Sequence, residues 1–221
     1  MKLLTPLVLA LLFSCASSKK TPPPYACGPV MNQKGIRQTF QPIIDYMELK
    51  PGDHFADVGA SSGYFTVMMS TLLTNNTIYI QDIDTTCLNS RQVDKVIDYY
   101  SKQINKSLRS VNSFHLILGN TSQTNLPENS LDKIYSNGSF HCFSEPDKMA
   151  ADLYSKLKSS GELYIRDNFS TKKDTRYCDD KKCGLPLTPV DTFLTIMARN
   201  HFRVEKNKVF SGYPIYKFTK N

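Results

Sequence analysis

From about residue 30 the sequence alternates short apolar runs with segments of helical period, and this alternation constrains the fold more than any other feature. In "GIRQTFQPIIDYMEL", Ile36, Phe40, Ile43, Ile44 and Met47 fall on one helical face. Pro51 and Gly52 then break the helix. "HFADVG" reads as a strand, "SGYFTVMMSTLL" as a helix and "TIYIQDID" as a second strand. A helix is expected from Thr85 to about Asn105, with Val93, Val96, Ile97, Tyr100 and Ile104 on one face and Asp84 as its N-cap. "SFHLILGN" and "LDKIYSN" read as the third and fourth strands. "EPDKMAADLYSKLK" reads as a helix with Met149, Leu153 and Leu157 facing inward, and "GELYIRD" as the fifth strand. Strands that alternate with helices form a parallel sheet covered on both faces. The end of the chain differs. After the helix "TPVDTFLTIMARN", the strands "HFRVEKNKVF" and "GYPIYKFTK" are joined by so short a link that they must be antiparallel. The expected fold class is α/β: a doubly wound, seven-stranded, mostly parallel sheet closed by a C-terminal antiparallel hairpin.

In such a sheet, ligands bind beyond the carboxyl ends of the strands at the switch point. The stretch "DVGASSGYF" (57–65) ends the first strand there. Gly59 permits a sharp turn or a close backbone approach, and Gly63 lets the next helix start near a ligand. The second strand ends in "QDID", where Asp82 offers an acceptor-only carboxylate. "GNTSQTNLP" follows the third strand and "SNGSFHCF" the fourth.

The turn, Asp82, the "LP" segment and the terminal hairpin, in that order, resemble the class I S-adenosylmethionine-dependent methyltransferases over about residues 35–218. The resemblance implies a Rossmann-like methyltransferase fold, with S-adenosylmethionine as cofactor. It also implies roles for residues. Asp57, Gly59, Ala60, Ser61 and Gly63 would form the turn that holds the methionine end, with Ser61 in place of the usual middle glycine. Asp82 would accept both ribose hydroxyls, with Asp84 as an out-of-register alternative. Asn120 stands where the family has an acid that meets the adenine amine. Asn137 would line the methyl-facing segment, and His141, one turn further on, would be the general base. No motif names the acceptor: an "NPPY"-type tetrad and a catalytic cysteine pair are both absent. A small molecule is expected rather than a macromolecule. Two other readings stand beside methyl transfer. One is a binding protein that kept the fold and lost the chemistry, in keeping with Ser61 and Asn120. The other is an NAD(P)-dependent oxidoreductase, which the G-x-x-x-G spacing, Asp57 and the closing hairpin disfavour.

The beginning of the chain belongs to a different problem. "MKLLTPLVLALLFSCASSKKTPPPYACGP" has Lys2, then an apolar run from Leu3 to Phe13, too short to span a bilayer, then Ser14 and Cys15. This resembles a bacterial lipoprotein signal. It implies a signal peptide over 1–14, a lipidated Cys15 with a proline-rich tether over 15–30, and the methyltransferase-like domain over 31–221. The chain would then be exported and lipid-anchored in the bacterial envelope, at the outer membrane or the periplasmic face. An ordinary secreted or periplasmic protein is the alternative. In an oxidising compartment Cys178 and Cys183, which flank "DDKK", are expected to pair as a local disulfide; no metal site is expected. Cys87 and Cys142 read as small buried apolar residues, and the pairing of Cys27 stays open. The formal net charge of +7 is scattered in short lysine pairs, with no basic helix or aromatic-interleaved stripe, so nucleic acid is not an expected partner. A monomer is expected, attached to the membrane only through its N-terminal lipid.

Overall fold

The structure, a computed structural model, describes residues 30–170 and 186–221. Cys15, Cys27, the tether and the Cys178–Cys183 pair lie outside the described residues.

The parallel strands are β1 (His54–Val58), β2 (Thr77–Asp82), β3 (Ser113–Leu118), β4 (Leu131–Asn137) and β5 (Leu157–Arg166). They are interleaved with the helices α2 (Tyr64–Ser70), α3 (Ser90–Gln103) and α4 (Pro146–Lys156). The helix α1 (Gln33–Met47) precedes the first strand. The last helix, α5 (Val190–Arg199), leads into the hairpin of β6 (Phe202–Phe210) and β7 (Tyr213–Lys220). All seven strands form one sheet in the order β3-β2-β1-β4-β5-β7-β6. β1 pairs in parallel with β2 and β4, and β7 is antiparallel to both β5 and β6. The doubly wound sheet with a reversed strand near one edge, expected from the sequence, is what the chain forms. An all-parallel dinucleotide-binding sheet would lack that reversal.

Alternation of side chains along each strand divides the core in two. One face carries Phe55, Ile78, Ile80, Tyr135 and Tyr164, packed beneath α1, α2 and α3. The other carries Val58, Ile134, Leu163, Ile165 and Phe218, packed beneath α4 and α5. The apolar face read for α1 is buried as a unit: Ile36, Phe40, Ile43, Ile44 and Met47. At roughly 1.5–3 kcal/mol for each fully buried large apolar side chain, these two layers supply most of the gross drive to fold.

Two boundaries differ from the expectation. α3 starts at Ser90, not Thr85, and its N-cap is Asn89, whose Oδ1 accepts from the Gln92 amide at 3.0 Å. Asp84 instead closes a local turn, where its Oδ1 accepts from the Thr86 amide at 2.8 Å and the Thr86 hydroxyl at 2.5 Å. A short polar side chain offers its own backbone an alternative to the helix, and here the turn wins. Likewise β5 begins at Leu157 rather than Gly161, so Leu157 belongs to the strand and not to α4. Its inward position satisfies a helical period as well as a strand, which is why the period alone could not separate the two.

Candidate active site

The carboxyl ends of β1, β2 and β4 open into a cleft of about 290 Å³. Its walls include Gly59, Ser61, Asp82, Ile83, Asn120 and Ser139. The turn after β1 is tied to β2: the Gly59 and Ala60 amides both donate to the Gln81 carbonyl, at 3.0 and 2.9 Å. Gly59 has φ +75°, and a Cβ there would lie 2.3 Å from Ser139 Oγ, so only glycine lets the turn meet the loop after β4. Ser139 secures that approach by donating to the Gly59 carbonyl at 3.1 Å. Gly63 is required for another reason. It has φ +71°, and a Cβ would lie 2.8 Å from Ile80 Cγ2, so it seats α2 on the sheet. Neither Gly63 nor the buried Ala60 is part of the cleft wall.

Ser61 takes the left-handed conformation, φ +52°, that the usual glycine would adopt without strain. Its amide donates to Asp82 Oδ2 at 2.6 Å. Asp82 Oδ1 accepts from the Ile83 amide at 2.7 Å and the Asp84 amide at 2.9 Å. A carboxylate has about four acceptor sites, so three are engaged by the protein itself. Asp82 therefore shapes the turn as well as facing the cleft. Accepting two ribose hydroxyls together would require one of these amides to yield.

Asp57 lies beneath the turn, 5% exposed, and is not on the cleft wall. The Thr66 hydroxyl donates to its Oδ2 at 2.5 Å. Burial pushes its carboxyl up from 3.8 to about 6; the Thr66 hydrogen bond works against this and the nearby Asp82 charge adds to it. Asn120 does line the cleft, but its Oδ1 accepts from the Ser122 and Gln123 amides, both at 2.9 Å, and from the Ser122 hydroxyl at 3.1 Å. Two amide donors fix the oxygen inward, so the expected acceptor for an adenine amine is already committed to its own loop.

The segment after β4, expected to face a methyl group, also departs from the expectation. Gly138 and Ser139 form the wall, whereas the Asn137 side chain turns to Arg166, whose Nη1 lies 3.2 Å from Asn137 Oδ1. His141 sits in a single 3-10 turn, Phe140–Cys142, and is only 3% exposed. Its Nδ1 is 2.8 Å from Asp167 Oδ1, and its amide donates to Asp167 Oδ2 at 3.0 Å. This buried dyad fixes the ring behind the wall, and His141 is not among the residues that line the cleft. Cys142 does line it and is partly exposed, as is Cys87, so neither is the buried apolar filler expected.

Several cleft residues carry no signal that the sequence reading used. Ile83 is 51% exposed immediately after the strand-end acid and puts an apolar side chain on the cleft wall. Gln81 is 2% exposed, lines the floor and leaves its Nε2 without a partner. Asp167, behind the cleft wall, could have been suspected, because "YIRD" puts an acid directly after β5 much as "YIQD" puts one at the end of β2.

Residues 56–165 match the family profile described as a methyltransferase domain. No curated protein matches the sequence significantly. Among solved structures, a SAM-dependent methyltransferase from Aquifex aeolicus is 18% identical with a TM-score of 0.59, covering 86% of this chain and 99% of that one. A TehB-like SAM-dependent methyltransferase from Corynebacterium glutamicum is 19% identical with a TM-score of 0.53, covering 88% and 90%. The [4+2]-cyclase SpnF is 15% identical with a TM-score of 0.64, covering 85% and 82%. These likenesses establish a Rossmann-like methyltransferase fold.

Proposed function

We propose that the chain is an S-adenosylmethionine-dependent methyltransferase acting on a small molecule. The observation that carries this reading is the joined turn and carboxylate: Gly59 and Ser61 meet Asp82 on one wall of a cleft at the switch point of the sheet. The residues present suit the cofactor. Gly59 leaves the cleft free of a Cβ where the turn meets Ser139, Asp82 keeps acceptor capacity for a ribose hydroxyl, and Ile83 offers an apolar surface to a base. The cofactor would supply an electrophilic methyl on a sulfonium. The chain's own task is alignment and exclusion of water. Gly59 and Ser61 would bind the methionine end, and Asp82 would orient the nucleoside. His141, set by Asp167, would take an acceptor proton if the wall at Ser139 and Cys142 moved aside, since its ring is buried in the structure.

A second reading, a binding protein without methyl transfer, has one specific observation in its favour. Asn120 spends its amide oxygen on its own loop and so differs from the acid it replaces. The similarity to a protein named as a [4+2]-cyclase also warns that this fold does not fix the reaction. Release of S-adenosylhomocysteine from S-adenosylmethionine, measured across a panel of hydroxyl, amine and thiol acceptors, separates the two. Turnover with any acceptor supports the enzyme; cofactor binding without turnover supports the binding protein.

The N-terminal sequence supports export and lipid attachment at Cys15, which would put the domain in the envelope. Labelling expressing cells with a radioactive fatty acid tests this, and a Cys15→Ser variant that labels equally would refute it.

A further inference from the structure

Arg166 ends β5 on the α1-facing side of the sheet, beside the loop that walls the cleft. The Gly138 amide donates to its carbonyl at 2.7 Å, and Gly138 lines the cleft. Among the described residues its guanidinium is held by neutral groups. Nη1 lies 3.2 Å from Asn137 Oδ1 and Nη2 lies 3.2 Å from the Phe210 carbonyl. The Tyr135 hydroxyl lies close enough to feel its charge, and the Tyr213 ring centroid is 5.4 Å from its central carbon. Nε is buried and has no partner. No carboxylate among the described residues pairs with it. Lys220, which donates to the Leu157 carbonyl, shares this lack of a carboxylate, but four other partly buried or buried cations do not. Lys133 and Lys217 both face Glu162, Lys156 faces Glu128 and Asp152, and Lys158 faces Asp132.

A partly buried guanidinium with no anion among the described residues is an unfavourable arrangement that an arriving anion would relieve. Its planar fork suits a carboxylate better than an ammonium would. We propose that Arg166 is the subsite for a carboxylate carried by the methyl acceptor. The inference rests on the methyltransferase reading for what the bound molecule is, but not for the existence of the subsite. Its position supports the role. Asn137, which Arg166 holds, sits at the end of β4 in the segment expected to face the methyl group, so an acceptor anchored at Arg166 would reach toward the cleft. Tyr213 adds an aromatic surface beside the charge, which fits a carboxylate on an aromatic or aliphatic body rather than a phosphate dianion. A single guanidinium also matches a monoanion in charge.

The test is to titrate benzoate, benzamide and inorganic phosphate into the full ¹⁵N-labelled chain and to follow the Arg166 Nε–H resonance, with and without S-adenosylhomocysteine. Benzoate is expected to shift that resonance saturably, benzamide not at all and phosphate more weakly. In Arg166→Gln the benzoate affinity, read from backbone amides of the β4 and β5 ends, should fall at least tenfold, and Arg166→Lys should fall between. No shift with benzoate, an equal shift with benzamide, a stronger response to phosphate, or unchanged affinity in Arg166→Gln would each overturn the assignment. The wild-type titration needs no variant to fold. A chain that binds benzoate at Arg166 but ignores S-adenosylhomocysteine refutes the cofactor reading alone. The reverse result refutes the subsite alone.

Discussion

The two ends of the sheet treat their charges differently. Toward the amino end, each strand carboxylate meets a cation. Asp132 accepts from Lys158 at 2.8 Å and from the His54 amide at 2.9 Å. Glu162 lies between Lys133 and Lys217 and also accepts from the Tyr164 hydroxyl at 2.7 Å. At the carboxyl end, Asp57 and Asp82 meet no cation among the described residues, and Arg166 meets no carboxylate. Buried atoms without partners occur at both ends, Ser136 Oγ, Gln81 Nε2 and Arg166 Nε toward the carboxyl end and His54 Nδ1 and Asn76 Oδ1 toward the amino end, so the difference lies in the charged groups. Charges at the amino end are arranged to satisfy one another. At the carboxyl end Asp167 is satisfied by His141, but Asp57, Asp82 and Arg166 lack a charged partner among the described residues, which costs stability and leaves capacity for a ligand.

The largest consequence falls on Asp57. Its carboxyl is raised from 3.8 to about 6, so the folded state holds a proton that the unfolded chain releases. The contribution of Asp57 is therefore fullest below pH 4 and is lost as pH rises through about 6, a loss of about 3 kcal/mol at 1.36 kcal/mol per unit. Urea unfolding at pH 4 and pH 7 should show this loss in the wild type and a much smaller one in Asp57→Asn. Equal pH slopes would remove Asp57 from the comparison.

Asp82→Ala probes ligand capacity. It should weaken S-adenosylhomocysteine binding by about 1–3 kcal/mol through lost charged hydrogen bonds. Unchanged binding would sink the Asp82 assignment.

Glu162 is the opposite case to Asp57. Burial alone would raise its carboxyl, but hydrogen bonds from Lys133, Lys217 and Tyr164 outweigh it and hold the value at about 2. Its contribution is present above about 4.5 and is lost as pH falls through 2. Solvent screens part of the pair, so Glu162→Gln should cost about 1–2 kcal/mol at pH 7, measured by chemical denaturation. Cofactor affinity should not change, and a loss there would blur the division between the two ends.

Ser61→Gly is the smallest change. It relieves a positive φ at the cost of a more flexible unfolded chain, so stability should move by less than about 1 kcal/mol in thermal unfolding. A loss of several kcal/mol would mean that the Ser61 side chain, and not only its amide, holds the turn.

The fold was legible in the sequence because each element carried its own signal. Alternating strand and helix patterns gave the parallel part, and the short link before "GYPIYKFTK" gave the reversed strand. Gly59, Ser61 and Asp82 were legible as one site because strand ends and turn residues place themselves. What escaped were choices made by tertiary competition. Asn120 could serve a ligand or its own loop, and three donors decided for the loop. Asn137 could face the cleft or Arg166, and the guanidinium decided. His141 carries no mark in sequence of the Asp167 carboxylate that holds it, because the two are 26 residues apart. Asp84 looked like the cap of α3, but its carboxylate is taken by the Thr86 amide and hydroxyl, and Asn89 caps the helix instead.

The measurement that tests the account most directly is calorimetric titration of the folded wild-type chain with S-adenosylhomocysteine. The incomplete charges at the carboxyl end predict binding of one ligand per chain in the micromolar range. A folded sample that releases no heat and shows no thermal stabilisation at saturating ligand would contradict it.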